Sequence, residues 1–488
     1  MGKANHYLDT SHRDLQTEQF WRRVPAWKDI DEATFLDWKW QARNTVTKPK
    51  QVLELLKDIV SPAFLEDVRE GFQGASMSVR VSPYVFGLID WDEPLTDPLR
   101  IQFVPLGSRF LKDHPMLTFD SLGEQKDSAV PGLTHRYSDK ALFLAMDTCT
   151  VYCRYCTRSY AVGSDTADYE KIQLRVNKDR WARAFEYIRN TPYLEDIVIS
   201  GGDTYELKPS QVTEIGNTLL SIPHIRRIRW ATKGPAIMPM KLLSHHEWVD
   251  ALTGVVERGR QQGVEVCVHT HFNHPKEITD ISRRSLNVLF QRGITVRNQS
   301  VLVRGVNDSA DIMKKHVKRL AYVNVQPYYV YVHDLVSGAE DLRTTVGTAV
   351  AIEKEVRGST AGFKTPVFVV DAPGGGGKRD AHSYEYYDRE TGISVYRSPA
   401  VDPDQFYYYC DPIDLLPESG RLRWADPAQK DIILEEARQG AIDKAKRDAD
   451  YSGTTVECTG VSRLPRFNII DLPKEEAANE TGLEVVNG

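Results

Sequence analysis

The sequence predicts an α/β protein: a partial or full (β/α) barrel, preceded by a mostly helical region and followed by a C-terminal extension. Three observations lead there. From about residue 140 to 372, short β-branched apolar runs alternate with amphipathic helical windows, the rhythm of a parallel sheet with right-handed crossovers. The repeats number six or seven, which suits a barrel better than an open sheet, although alternation by itself does not separate the two. Each unusual motif of the chain also falls at the end of a strand candidate, where parallel sheets gather their chemistry.

Residues 1–130 mix helical windows such as "DEATFLDWKWQARN" and "PKQVLELLKDIV" with Pro-rich connections. The barrel core spans 131–378. Its strand candidates are "ALFLAM" (141–146), "DIVIS" (196–200), "IRRIRWAT" (225–232), "VEVCVHT" (264–270), "ITVRNQSVLV" (294–303), "VQPYYVYV" (325–332) and "PVFVVD" (366–371). Helix windows separate them. In "SADIMKKHVKRLAYV", for example, Met313, Val317 and Leu320 share one face. The extension, 379–488, opens aromatic ("QFYYYCDP") and continues as a charged helical window. Its last 15 or so residues are acidic and Asn/Gly-rich, a composition expected to stay disordered.

The chain has 488 residues with 62 Lys and Arg against 68 Asp and Glu, a net charge of −6. That leaves no basic footprint for nucleic acid and no polybasic membrane signal. No apolar run is long enough for a membrane span, and "MGKANHYLDT" lacks the apolar core of a signal peptide. Six cysteines are too few for a disulfide scaffold, so the expected compartment is the cytoplasm.

Three of those six, Cys149, Cys153 and Cys156, crowd into "DTCTVYCRYCTR" with the spacing C-x3-C-x2-C. A structural zinc site wants four ligands, commonly as paired CxxC or Cys/His sets, and Cys267, Cys410 and Cys458 stand alone, so structural zinc is not expected. A [4Fe-4S] cluster takes four thiolates, and three on one loop would leave an iron open to another ligand. This spacing directly after the first barrel strand resembles the radical S-adenosylmethionine superfamily. The resemblance implies a [4Fe-4S] cluster on the three cysteines and S-adenosylmethionine on the open iron. Tyr155 fits the same pattern. "SGGD" (Ser200, Gly201, Gly202, Asp203) resembles the Gly-Gly-acid element that holds the methionine amino group.

"DAPGGGGKRD" places Lys378 after four glycines. Such a run is expensive in chain entropy unless the backbone needs positive φ or a close approach. It is not a P-loop, because Arg379 stands where Ser or Thr is required. A lysine on a mobile glycine arm suits a Schiff base with pyridoxal 5′-phosphate, and a plain flexible loop is the alternative.

Together with "GLTHRYSDKALFLAMDTCTVYCRYCTR", "HTHFNHPKEIT", "RNQSVLVRGVND" and "FVVDAPGGGGK", these motifs closely resemble the lysine 2,3-aminomutase family, over about two thirds of the chain. The resemblance implies a pyridoxal-phosphate-dependent radical enzyme that moves an α-amino group to the β-carbon. It makes Lys378 the Schiff-base lysine, Arg136 and Lys140 the phosphate contacts (Lys140 where relatives often have a second arginine), Gln299 a further pyridoxal contact and His271 a neighbour of S-adenosylmethionine. It implies an electron donor such as flavodoxin or ferredoxin, and a homo-oligomer.

Asp334 and Asp371 end successive strands and match the acids that bind the substrate ammonium in lysine-specific members. Arg158 resembles the clamp on the substrate carboxylate. Paired carboxylates facing one pocket need a cation between them, which a basic amino acid supplies. L-Lysine is the expected substrate, with L-arginine as the alternative, because a guanidinium would also satisfy two acids. A non-catalytic metal-binding protein is the more remote alternative. The chain departs from the family pattern at Ser159 and Tyr160, in the run after Lys378, and in lacking a C-terminal cysteine cluster.

Overall fold

A computed structural model describes residues 9–166 and 169–452. Cys458 and the last fifteen residues, expected to be disordered, lie outside the described residues, as do the first eight. The described residues up to Ala441 form one compact unit. Ile442 opens a second, of which the described part is the end of the helix Lys430–Ser452.

All seven strand candidates form, as β3 (Lys140–Met146), β4 (Asp196–Gly201), β5 (Arg227–Ala231), β6 (Glu265–Thr270), β7 (Val296–Leu302), β8 (Gln326–Val332) and β9 (Val367–Ala372). Each pairs in parallel with the next. A helix fills every crossover, from Lys178–Arg189 between β3 and β4 to Val346–Val356 between β8 and β9. Four of these helices start at a short polar side-chain cap. Asn177 accepts from the Arg180 N–H, Thr279 from Ser282, Ser309 from Ile312 and Thr345 from Thr348.

Three further strands frame this array. β1 (Ser128–Val130) and β2 (Leu133–Tyr137) add antiparallel before β3, and β10 (Gly377–Asp380) adds antiparallel after β9. The ten strands lie in simple chain order, and among the described residues no pairing joins β10 back to β1. Of the two architectures the sequence left open, a full barrel is therefore not formed. The sheet is open and mixed, with hairpins at both edges.

The strands face two ways. Outward, Ile197, Ile199, Ile228, Trp230 and Val268 are buried in one core with Trp181, Ile215, Leu219, Leu252 and Val255 of the crossover helices. Each such burial contributes about 1.5–3 kcal/mol relative to exposure. Inward, β5 presents Arg227 and Arg229, and β7 presents Arg297 and Gln299, at the half-exposed positions of a strict alternation. The inside of the sheet is thus polar and lines a cavity rather than a packed core.

The N-terminal region is helical, as expected, with short helices between Glu32 and Phe103. It reaches over the ends of the strands. The Gln102 carbonyl accepts from the Arg154 N–H at 3.0 Å, and the Arg80 carbonyl from the Tyr152 N–H at 3.0 Å, so this region holds the cysteine loop. The extension forms a three-stranded antiparallel sheet of β11 (Tyr386–Asp388), β12 (Ile393–Ser398) and β13 (Asp402–Cys410). Among the described residues no helix is long and apolar enough to cross a membrane.

Candidate active site

One cavity of 610 Å³ runs inside the sheet and is lined by every site residue the sequence singled out. Cys149, Cys153 and Cys156 lie on the loop after β3. Burial raises the pKa of all three thiols. Cys153 is pushed up to about 12, and Asp203 and the other two thiols push Cys149 up further. Each cysteine is half-buried, with its side chain toward the cavity.

The Gly-Gly-acid turn explains itself locally. Gly201 has φ 110°, and a Cβ there would collide with the Met146 carbonyl; one at Gly202 would collide with the Thr148 backbone. Gly202 N–H donates to the Met146 carbonyl at 2.6 Å and Asp203 N–H to that of Thr148 at 2.9 Å. The glycines thus let the end of β4 press backbone to backbone on the start of the cysteine loop. Asp203 accepts from the Tyr205 and Lys233 N–H groups at 2.9 Å each. Its carboxyl is raised to about 6, by burial first.

Tyr155, buried between the second and third cysteines, is fixed by three partners. Its hydroxyl donates to Gln102 Oε1 at 2.9 Å, accepts from Asn273 Nδ2 at 2.8 Å and meets His271 Nε2 at 3.1 Å. The other nitrogen of His271 meets the Gln299 carbonyl at 2.5 Å. The Gln299 amide bridges His269 Nδ1 at 3.0 Å and the Tyr331 hydroxyl at 3.2 Å. One network therefore ties the cysteine loop to β6, β7 and β8.

Lys378 is not on a mobile arm. It sits on β10 directly across from Asp371 on β9, and its Nζ donates to Asp371 Oδ2 at 3.0 Å. The lysine pKa is held well above its usual value: burial opposes the charge, but the carboxylate of Asp371 and the Tyr331 hydroxyl prevail. The glycines make this tight turn, with φ 73° at Gly374, 97° at Gly375 and 73° at Gly377. At Gly376 there is no room, since a Cβ would lie 2.6 Å from the Tyr407 ring. The Tyr137 hydroxyl accepts from the Lys378 N–H at 3.0 Å.

Asp334, just past β8, accepts from the Thr157 hydroxyl at 2.5 Å. Burial and then the charge of Asp371 raise its carboxyl to about 7. Asp334 Oδ1 and Asp371 Oδ1 are both buried with no partner among the described residues.

Arg158 is committed to a residue the sequence did not single out. Its Nε and Nη2 donate to Glu124 at 2.9 and 2.8 Å. Arg136 pairs with Asp127 at 2.6 Å and with the Leu122 carbonyl, beside the glycine turn. Lys140 opens β3, six residues before Met146, and pairs with Asp139 at 3.0 Å. It shares that end of the cavity with Arg227 and Arg229, which both donate to Asp196.

Glu124, Thr157, Tyr137 and Tyr331 escaped the sequence reading. Each is an ordinary residue until the fold brings it to a partner, and only the neighbourhood of Thr157 to the third cysteine could have pointed to it.

No family model matches the chain. Curated relatives do. L-lysine 2,3-aminomutase of Clostridium subterminale is 38% identical over 361 residues, 73% of this chain and 80% of that one. The same enzyme of Fusobacterium nucleatum is 36% identical over 88% of this chain and 98% of that one. Glutamate 2,3-aminomutase of Clostridioides difficile is 28% identical over 77% and 85%. These likenesses define the class: the protein is an aminomutase, an isomerase. The chain belongs to the lysine 2,3-aminomutase family.

Proposed function

We propose that this aminomutase acts on a basic amino acid, L-lysine, moving its α-amino group to the β-carbon to give β-lysine. The observation that carries the reading is the pair of acids. Two carboxylates in one cavity, each with a buried Oδ1 lacking a partner among the described residues, present an anionic corner that a cationic side chain would neutralise.

The family's cofactors fit the residues present. Among the described residues no three His, Cys, Asp or Glu side chains gather as they would around a single metal ion. In a cluster, however, each thiolate binds its own iron, so the three thiols on one loop suit it. Cys149, Cys153 and Cys156 would hold the [4Fe-4S] cluster. The backbone of Ser200, Gly201 and Gly202, with Asp203, Tyr155 and His271, would flank S-adenosylmethionine. Lys378 would carry pyridoxal phosphate, with Arg136 and Lys140 toward its phosphate and Gln299 beside it. When bound, the cluster with S-adenosylmethionine supplies a hydrogen-abstracting radical, and pyridoxal phosphate the conjugated system through which nitrogen migrates.

The chain's own residues then bind and orient. Asp334 and Asp371 hold the substrate ammonium at one corner. Arg158 meets the carboxylate at the other through the edge of its guanidinium that Glu124 leaves open. Held at these two points, the substrate would keep its α- and β-carbons next to the Arg158 end of the cavity. Lys378 is an ammonium paired with Asp371, and it would have to release its proton to solvent to hold pyridoxal phosphate. That change would free Asp371 for the substrate cation. The N-terminal region, by holding the cysteine loop, helps exclude water.

The test is an anaerobic assay of iron–sulfur-reconstituted protein with pyridoxal phosphate, S-adenosylmethionine and reductant. L-lysine, L-arginine and L-glutamate are offered in parallel, with products read by mass spectrometry. β-Lysine is the expected product. β-Arginine or β-glutamate as the main product would overturn the substrate assignment.

A further inference from the structure

We propose that Glu124 is the positioning residue for recognition of the substrate carboxylate, setting Arg158 with its end-on edge turned to the cavity and Tyr160 as its support. The inference rests on the carboxylate role of Arg158 given above and names the group behind it.

A guanidinium has five N–H donors in a rigid plane. Glu124 takes the side edge, Nε–H and one Nη2–H, at 2.9 and 2.8 Å. The end edge, Nη1–H with the second Nη2–H, makes no other hydrogen bond among the described residues and offers two parallel donors. That is the geometry a carboxylate accepts bidentately. A charged carboxylate on the side edge fixes the plane of the guanidinium and therefore the direction of the free edge.

Glu124 itself is well placed to hold a direction. It is 5% exposed. Its N–H donates to Asp120 Oδ1 at 2.8 Å, and its carbonyl accepts from the Thr134 hydroxyl at 3.3 Å. The buried Tyr160 hydroxyl donates to Glu124 Oε2 at 2.8 Å, the same oxygen that receives Arg158 Nε. On the Arg158 side, the backbone carbonyl accepts from the Ala161 and Val162 N–H groups at 2.9 Å each. The pair is thus anchored at both ends on the cavity wall, with Arg158 partly open and Glu124 almost fully buried, at 24% and 6% side-chain exposure.

A positioning role differs from a structural one in what it discriminates. The decisive comparison is between L-lysine and 1,5-diaminopentane, which is lysine without its carboxylate. Both are titrated into cluster-reconstituted, pyridoxal-phosphate-loaded enzyme without reductant, and binding is read from the pyridoxal absorbance. Glu124→Gln is expected to weaken L-lysine about tenfold, the scale of one charge-assisted hydrogen bond, and to leave 1,5-diaminopentane unchanged. Tyr160→Phe, which keeps the packing, is expected to move L-lysine the same way by about threefold. An equal loss for both ligands, or no loss of L-lysine in Glu124→Gln, overturns the inference. Arg158→Met separates the two layers. If it too leaves the ratio of the ligands unchanged, the carboxylate reading of Arg158 falls and this inference with it. If Arg158→Met collapses the ratio and Glu124→Gln does not, only the inference falls.

Discussion

At one corner of the cavity Arg158 meets Glu124 through two hydrogen bonds of 2.8 and 2.9 Å, with Tyr160 on the same carboxylate. At the other, Asp334 and Asp371 each keep a buried oxygen without a partner among the described residues. The first corner is assembled before any ligand arrives. The second is left electrostatically unfinished, with Lys378 holding one of its two acids. A preassembled cation fixes orientation at little entropic loss on binding. An unfinished pair of acids gains most from a ligand that brings a cation, and so sets selectivity. On the proposed reading, the carboxylate end common to all amino acids would meet the first corner, and the end that distinguishes them the second.

The largest expected effect removes the link between the two halves of that design. Lys378→Ala should abolish the pyridoxal absorbance and all turnover, while iron content of the reconstituted protein stays unchanged. Retained absorbance would show that the cofactor is held elsewhere. Next, Asp371→Asn should raise the KM for L-lysine roughly 100-fold, since a hydrogen bond to a charged group is worth about 1.5–3 kcal/mol. Cluster assembly should not change. Loss of iron with unaltered KM would break the comparison, because Asp371 would then support the cysteine loop rather than the substrate cation.

A smaller effect follows from pH. Burial and Asp371 raise Asp334 to about 7, and only its ionised form attracts an ammonium. Affinity for L-lysine should therefore fall as pH drops through about 7, by up to tenfold per unit, and Asp334→Asn should flatten that limb. The same shift has a stability sign. An acid raised above its unfolded value of 3.8 favours the fold below that value, and this contribution is lost as pH rises toward 7. Asp334→Asn should thus raise the Tm of cofactor-free protein at pH 8 and leave it unchanged at pH 3. Smallest is Gly376→Ala, whose Cβ would press on Tyr407 and Ala372. It should destabilise by about 1–3 kcal/mol in denaturant unfolding and loosen the β9–β10 pairing that aims Lys378.

The strands β3 to β9 were legible because apolar β-branched runs bounded by turns are a strong local signal. β10 was not. "GKRD" carries no strand pattern, and its pairing is imposed by the positive-φ glycines before it, which read equally well as a flexible arm. The cysteines, Lys378 and the two aspartates were legible as a constellation of motifs. Their partners were not: Glu124 is 34 positions from Arg158, and Thr157 is 177 from Asp334. Such pairings exist only once the sheet has formed. Local pattern likewise left the barrel undecided, because closure depends on what β1, β2 and β10 do at the edges.

The most direct measurement is the affinity of the pyridoxal-phosphate-loaded enzyme for L-lysine against L-norleucine, which lacks only the terminal ammonium, in the wild type and in the Asp334→Asn, Asp371→Asn double variant. The wild type should prefer L-lysine by roughly 100-fold or more, and this preference should collapse toward equality in the double variant. Equal affinities in the wild type would contradict it.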